Sequence, residues 1–163
     1  MERLHRFRRS YRLASYRGMV DVSGKNITKR VAVASSQIKM SLAAFKKLIA
    51  EESPKGDVWE TAKIAAITAA KSTSQLIPYC HPLSLSCVKI RFEVDKRQCS
   101  VTSLAEVTAW GPTGVEMEAL TAACLASLTI YDMMKWADKA MAISDVMLLK
   151  KTGGKSGDFQ RKQ

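Results

Sequence analysis

Residues 86–94 read SCVKIRFEV and residues 99–107 read CSVTSLAEV, with DKRQ between them at 95–98. The first run alternates apolar and polar side chains from Val88 to Val94, the period of a strand with one wet face. DKRQ turns the chain and the second run returns it, so the middle of the sequence is expected to be an antiparallel hairpin.

Upstream, residues 76–83 (LIPYCHPL) hold Pro78 and Pro82 around Tyr79, Cys80 and His81, which predicts a stiff loop. Before it, residues 58–73 are rich in alanine. Asp57, with Glu60 three positions on, is the expected start of a helix there. SPKGD (53–57) reads as a turn, residues 41–52 as a short helix capped by Ser41, and RVAVASSQIKM (30–40) as a strand. Downstream of the hairpin, GPTG (111–114) breaks the chain. Met117, Leu120, Cys124, Leu125, Leu128 and Tyr131 then follow helical spacing, predicting a long helix from Glu116 to about Ala140. MAISDVMLL (141–149) reads as a last strand, and KTGGKSGDFQRKQ (151–163) as a glycine- and lysine-rich tail.

The order is strand, helices, strand, strand, helix, strand. That is an α+β, ferredoxin-like split βαβ arrangement, an antiparallel sheet with helices packed on one face. Length fits one domain over residues 19–159, with a C-terminal tail at 160–163.

The chain carries a formal charge of +11. Residues 1–18 hold six arginines and one glutamate, and the remainder keeps 20 basic against 14 acidic residues. A basic body favours anionic partners. The 1–18 arm is expected to be disordered or a targeting segment. No apolar run is long enough to span a membrane and no signal-peptide segment opens the chain, so a cytoplasmic location is expected. If the source is eukaryotic and the arm is a presequence, the mitochondrial matrix is expected instead. Cys80, Cys87, Cys99 and Cys124 form no C-x-x-C pair, which argues against structural zinc, and they read as reduced thiols.

The chemistry concentrates on a few polar residues. Asp132 and Lys135, three apart on the long helix, share a face. An exposed pair at that spacing means little, but Tyr131, Met133, Met134 and Trp136 suggest an apolar setting that would raise the carboxylate pKa or lower that of the lysine. Glu116 and Glu118 open the same helix, where acids complement the helix dipole. Glu118 and Asp132 point roughly the same way, yet lie roughly 21 Å apart along the axis. If both are functional, the site is long or shared between two subunits. His81 is held in the stiff loop and suits phosphate contact or proton transfer. A Cys80–His81 nucleophile pair lacks an orienting third group. Lys55 sits beside the amides of a helix start, a ready anion site. GGKSG (153–157) is no P-loop, because the first glycine of that motif would have to stand at Leu149.

MVDVS (19–23), KGDV (55–58), LIPYCHPL (76–83), GVEMEALTAA (114–123), LTIYDM (128–133), Lys135 and KTGGKSGDF (151–159) together resemble the MoaC family, the cyclic pyranopterin monophosphate synthases of molybdenum cofactor biosynthesis. The resemblance runs in order over residues 19–159 and departs from the family's usual pattern at Tyr79 and Met134. It implies a lyase with a ferredoxin-like fold. The substrate would be 3′,8-cyclo-7,8-dihydro-GTP, supplied by a radical SAM enzyme, and pyrophosphate would be released. It also implies hexamers built from dimers, with sites at subunit interfaces. By position, Asp132, Lys135 and Lys55 match the catalytic residues. Tyr79, Cys80, His81, Glu116, Met117, Glu118 and Lys151 match the substrate-binding ones. Magnesium can accompany the triphosphate, but no dedicated metal-ligand cluster is apparent.

Two other readings compete. A basic ferredoxin-like domain can bind RNA, but such modules stack bases on strand aromatics, and the central strands offer mainly Phe92. A non-catalytic nucleotide-sensing domain would not need the lysine–carboxylate cluster.

Overall fold

The computed structural model describes residues 18–155 and 157–162. In chain order the elements are β1 (Thr28–Lys39), α1 (Leu42–Ile49), α2 (Val58–Lys71), α3 (Thr73–Leu76), β2 (Leu85–Asp95), β3 (Ser100–Gly111), α4 (Glu116–Met134), β4 (Ala142–Thr152) and β5 (Phe159–Gln160). The strands form one antiparallel sheet in the order β2-β3-β1-β4-β5. This is the expected split βαβ arrangement with one short strand added at an edge. Except for Gly18, the arm expected over residues 1–18 lies outside the described residues.

Alternation along β1 and β3 decides which face carries the helices. Ala32, Ala34, Ser36 and Ile38 of β1 are fully buried, as are Val101, Ser103, Ala105 and Val107 of β3. Against them lie Ala119, Ala122, Ala123 and Ala126 of α4 and Ala66 and Ala70 of α2. Short side chains on both sides let the helix backbones approach the sheet closely. A second cluster fills the other end of the layer with larger groups, among them Phe45, Leu48, Ile130, Met133 and Met134. Between sheet and α4, the buried Ser127 hydroxyl donates to the Ser36 carbonyl at 3.3 Å and lies 3.2 Å from the Ser103 hydroxyl. The Ser127 hydroxyl thus has a partner on each of β1 and β3.

The capping residues read from the sequence cap the helices. Ser41 Oγ accepts from Ala44 N–H, and Asp57 accepts from Glu60 N–H at 2.9 Å. Three boundaries differ from expectation. Helix α4 stops at Met134 rather than near residue 140. The Asp138 carboxylate takes the backbone N–H groups of Ser41 (2.8 Å) and Ala140 (2.7 Å), which pulls the chain off the helix and across the start of α1. The alanine-rich helix is interrupted at Ser72, and α3 follows as a separate turn. The third difference is at residues 151–160, where a tail was expected. There β4 runs on through Lys151 and Thr152, paired to Ala32 and Val31. Gly153 and Gly154 turn the chain at φ +89° and +92°, and β5 returns along Lys150 and Lys151. Asp158 closes the turn by accepting from Gly153 N–H.

Candidate active site

Functional candidates gather at the two ends of α4. At its C-terminal end the Asp132 carboxylate is clasped on both oxygens. Lys55 Nζ donates to Oδ2 at 2.5 Å, and Lys135 Nζ lies 2.7 Å from Oδ1. Lys55 Nζ also donates to the Asp132 carbonyl at 3.2 Å, and Ser53 Oγ donates to the Met133 carbonyl at 3.1 Å. The 53–57 turn therefore satisfies the last carbonyls of α4 while presenting Lys55 to the acid.

The hydrogen bond from Lys135, then that from Lys55, holds Asp132 at a pKa of about 2. Asp132 in return raises Lys135. This reverses the apolar setting expected from the neighbouring residues. Met133 and Met134 point into the core. Tyr131 donates its hydroxyl to the Lys139 carbonyl, and Trp136 lies under Lys47 Nζ at 4.5 Å. The Asp132 side chain is left half exposed between two ammonium groups, and pairing stabilises both charged forms.

At the N-terminal end, Tyr79, Cys80 and His81 of the two-proline loop face Glu116, Met117 and Glu118 across a pocket of about 200 Å³. Lys151 reaches Glu116 from β4 at 3.1 Å. A Cβ on Gly114 would lie 1.8 Å from Glu116 Oε2, so a side chain there would displace the Glu116 carboxylate from its place beside Lys151. Glu118 is buried. Burial pushes its carboxyl up and the Glu116 charge adds to that, against a hydrogen bond from its own backbone N–H. Burial, and then Glu118, also push the Cys80 thiol up. A thiol held protonated is a poor nucleophile, in keeping with the rejected Cys80–His81 pair.

The raised Glu118 pKa carries a stability signature. Its protonated form is favoured in the fold, so its contribution is fullest below the ordinary glutamate range of about 4.3 and declines as pH rises through the folded value. Glu118→Gln is expected to melt at a higher temperature than the parent at pH 8 and to match it at pH 4. Equal melting points at both pH values would rule out the burial effect.

Arg30 escaped the sequence reading. It lies on the inner face of β1, in phase with Ala32 and Ala34, and is only 8% exposed. Nε donates to the Gly111 carbonyl and Nη2 to the Pro112 carbonyl, each at 3.2 Å. Its guanidinium also lies against Gly154, where a Cβ would meet Nη1 at 1.6 Å. Arg30 thus ties the loop before Glu116 to the turn after Lys151. The signal was present in the alternation, which set an arginine among inward-facing alanines.

Within one chain the two clusters do not meet. Asp132, Lys135 and Lys55 stand at one end of α4. Tyr79, Cys80, His81, Glu116, Met117, Glu118 and Lys151 stand at the other, roughly 21 Å away along the axis. Among the described residues, no three His, Cys, Asp or Glu side chains gather as a metal cluster. No described helix is long and apolar enough to cross a membrane.

Fold and site together define a small α+β domain with lysine–carboxylate clusters suited to proton transfer and anion binding. The MoaC family model matches residues 19–154, and the chain belongs to that family. It is 52% identical over 143 residues to the cyclic pyranopterin monophosphate synthase of Campylobacter lari, covering 88% of this chain and 91% of the relative. The synthase of the same name from Staphylococcus aureus strain Newman is 52% identical over 146 residues, covering 88% and 89%. That of Herpetosiphon aurantiacus is 52% identical over 142 residues, covering 87% of each.

Proposed function

We propose that this chain converts 3′,8-cyclo-7,8-dihydro-GTP to cyclic pyranopterin monophosphate, with release of pyrophosphate, in molybdenum cofactor biosynthesis. The observation that carries the reading is family membership, with 52% identity to synthases over nearly their whole length. The RNA-binding and nucleotide-sensing alternatives are not favoured by these relatives. A radical SAM enzyme supplies the substrate in this reading, and the chain works in the cytoplasm.

The division of labour follows from charge. Lys55, Asp132 and Lys135 move protons on the purine-derived ring. An ammonium–carboxylate–ammonium array can give a proton at one nitrogen and accept one at another with little net charge change. Lys151 and His81 hold phosphate, where cationic donors stabilise the charge that develops on the leaving pyrophosphate. Tyr79, Cys80, Glu116, Met117 and Glu118 form the walls of the substrate pocket. The separation of the clusters supports a site shared by two chains of a homo-oligomer, as in a hexamer built from dimers, since one substrate cannot easily span them within a chain.

The test is incubation of the purified protein with the cyclised dihydro-GTP, followed by oxidation and fluorescence detection of the pterin. Pterin formation with stoichiometric pyrophosphate is expected. Absence of both from folded protein would discard the reading.

A further inference from the structure

The Lys55–Asp132–Lys135 array is built from weak parts. The paired side chains of Lys55 and Asp132 are 44% and 49% exposed, and ion pairs that open to water hold little by themselves. A lysine stem also gives up much rotamer freedom to stay in one geometry. The array therefore depends on where the backbone of Lys55 is held.

Ser53 holds it. Its carbonyl accepts from Gly56 N–H at 3.1 Å, closing a β-turn with Pro54 in the second position and Lys55 in the third. The Ser53 hydroxyl is half-buried and bonds in both directions. It accepts from Lys55 N–H at 3.3 Å and donates to the Met133 carbonyl at 3.1 Å. A hydroxyl has a single proton, so the two bonds fix its orientation. The backbone N–H groups that leave α4 go elsewhere, that of Lys135 to the Tyr131 carbonyl and those of Ala137 and Asp138 to the Met134 carbonyl. The Asp132 and Met133 carbonyls accept instead from Lys55 Nζ and Ser53 Oγ. One hydroxyl thus joins the Lys55 backbone to the residue that follows Asp132.

We propose that Ser53 is a positioning residue, whose hydroxyl locks the Lys55 turn onto the end of α4 and so sets the contact between Lys55 and Asp132. Its effect on turnover rests on the proposed reaction, whereas the placement itself is tested without substrate. Leu48 and Val58 are buried on either side of the turn, so the segment between them can shift while both helices stay packed. Ser53→Ala removes both bonds and releases that freedom. Ser53→Thr keeps the hydroxyl, and a β-branched residue suits the extended backbone that Pro54 imposes on its neighbour.

Competitive acylation of the purified protein with acetic anhydride at neutral pH reads the placement. Peptide mass spectrometry quantifies each lysine, with exposed Lys96 as the internal reference. Only a free amine attacks the anhydride, so an ammonium held by a carboxylate is labelled slowly. Ser53→Ala is expected to raise Lys55 labelling, relative to Lys96, by roughly threefold or more. Ser53→Thr should stay within roughly twofold of the parent. Ser127→Ala removes a buried hydroxyl elsewhere along α4 and should leave the ratio unchanged, which separates placement from general loosening. With the cyclised dihydro-GTP, Ser53→Ala should lose kcat by roughly tenfold at a KM about that of the parent, and Ser53→Thr should recover it. Parent-like labelling or parent-like kcat in Ser53→Ala, no recovery in Ser53→Thr, or an equal rise in Ser127→Ala would each overturn the role of Ser53. A parent that forms no pterin refutes the proposed reaction instead, and the labelling ratios still decide whether Ser53 places Lys55.

Discussion

Asp132→Asn is expected to bind the cyclised nucleotide about as well as the parent and to lose turnover by roughly 10²- to 10⁴-fold, the range that a positioned acid or base contributes. Asparagine keeps the shape of the side chain but removes the charge that two ammonium groups share at 2.5 and 2.7 Å. Since Asp132 is the main reason the Lys135 pKa is raised, its loss also lowers the proton affinity of Lys135. Lys135→Ala should act in the same direction on kcat. Equilibrium binding measured beside single-turnover rates separates the two effects. Weakened binding with intact turnover at saturation would show that this end of α4 holds substrate and does not move protons. The carboxylate is held at a pKa of about 2. Its folded value lies below the ordinary range, so its ion pairing persists above pH ~4 and is lost as pH falls toward the folded value. Asp132 should therefore contribute no acidic limb to the pH–rate profile near neutrality.

Gly153→Ala should destabilise the fold by roughly 2–4 kcal/mol, read from urea unfolding, since backbone strain and overpacking each cost about 1–3 kcal/mol. At φ +89° a side chain is strained whatever the space, and here a Cβ would stand 2.2 Å from the Lys29 carbonyl oxygen, a backbone atom that cannot swing aside. Gly157 supplies the control. It too has a positive φ, +73°, but a Cβ there meets nothing within 4 Å, so Gly157→Ala should lose only about 1–2 kcal/mol. Equal stabilities for the two variants would refute the close approach. Gly153→Ala should also lower activity beyond what unfolding explains, because the displaced turn carries Lys151 away from Glu116.

Much of the architecture was legible because local signals agreed with the fold. The hairpin, the caps at Ser41 and Asp57, and the two-proline loop rest on side-chain alternation or on interactions between residues close in sequence. Their energetics are set within a few positions. The end of α4 was not legible in this way. Nothing near residue 138 forbids helix, and the helix stops because Asp138 finds a backbone N–H at Ser41, 97 positions away. The 151–160 hairpin was read as a tail for a similar reason. Glycines and lysines look solvated in sequence, and only the edge offered by β1 and the Asp158 bond to Gly153 make them a strand and a turn.

The candidate site divides along the same line. Sequence motifs picked out Asp132, Lys135, Lys55, His81, Glu118 and Lys151, and the i,i+3 spacing brought Asp132 and Lys135 together. Spacing could not say that Lys55 would close on the other oxygen of Asp132, a contact made across 77 positions. Nor could it give the sign of the pKa shift, because whether water or methionine surrounds a carboxylate depends on which way neighbouring side chains turn in the packed layer. By itself, then, the sequence determined the element order, the family and the residues worth testing, all of which rest on local pattern. Only the tertiary structure decided that Asp132 stays ionised while Glu118 is pushed toward neutrality and that Arg30 braces the glycine turns. It also decided that the two charged clusters stand at opposite ends of one helix. Solvation and long-range contact are properties of the folded surface, and no stretch of chain carries them alone.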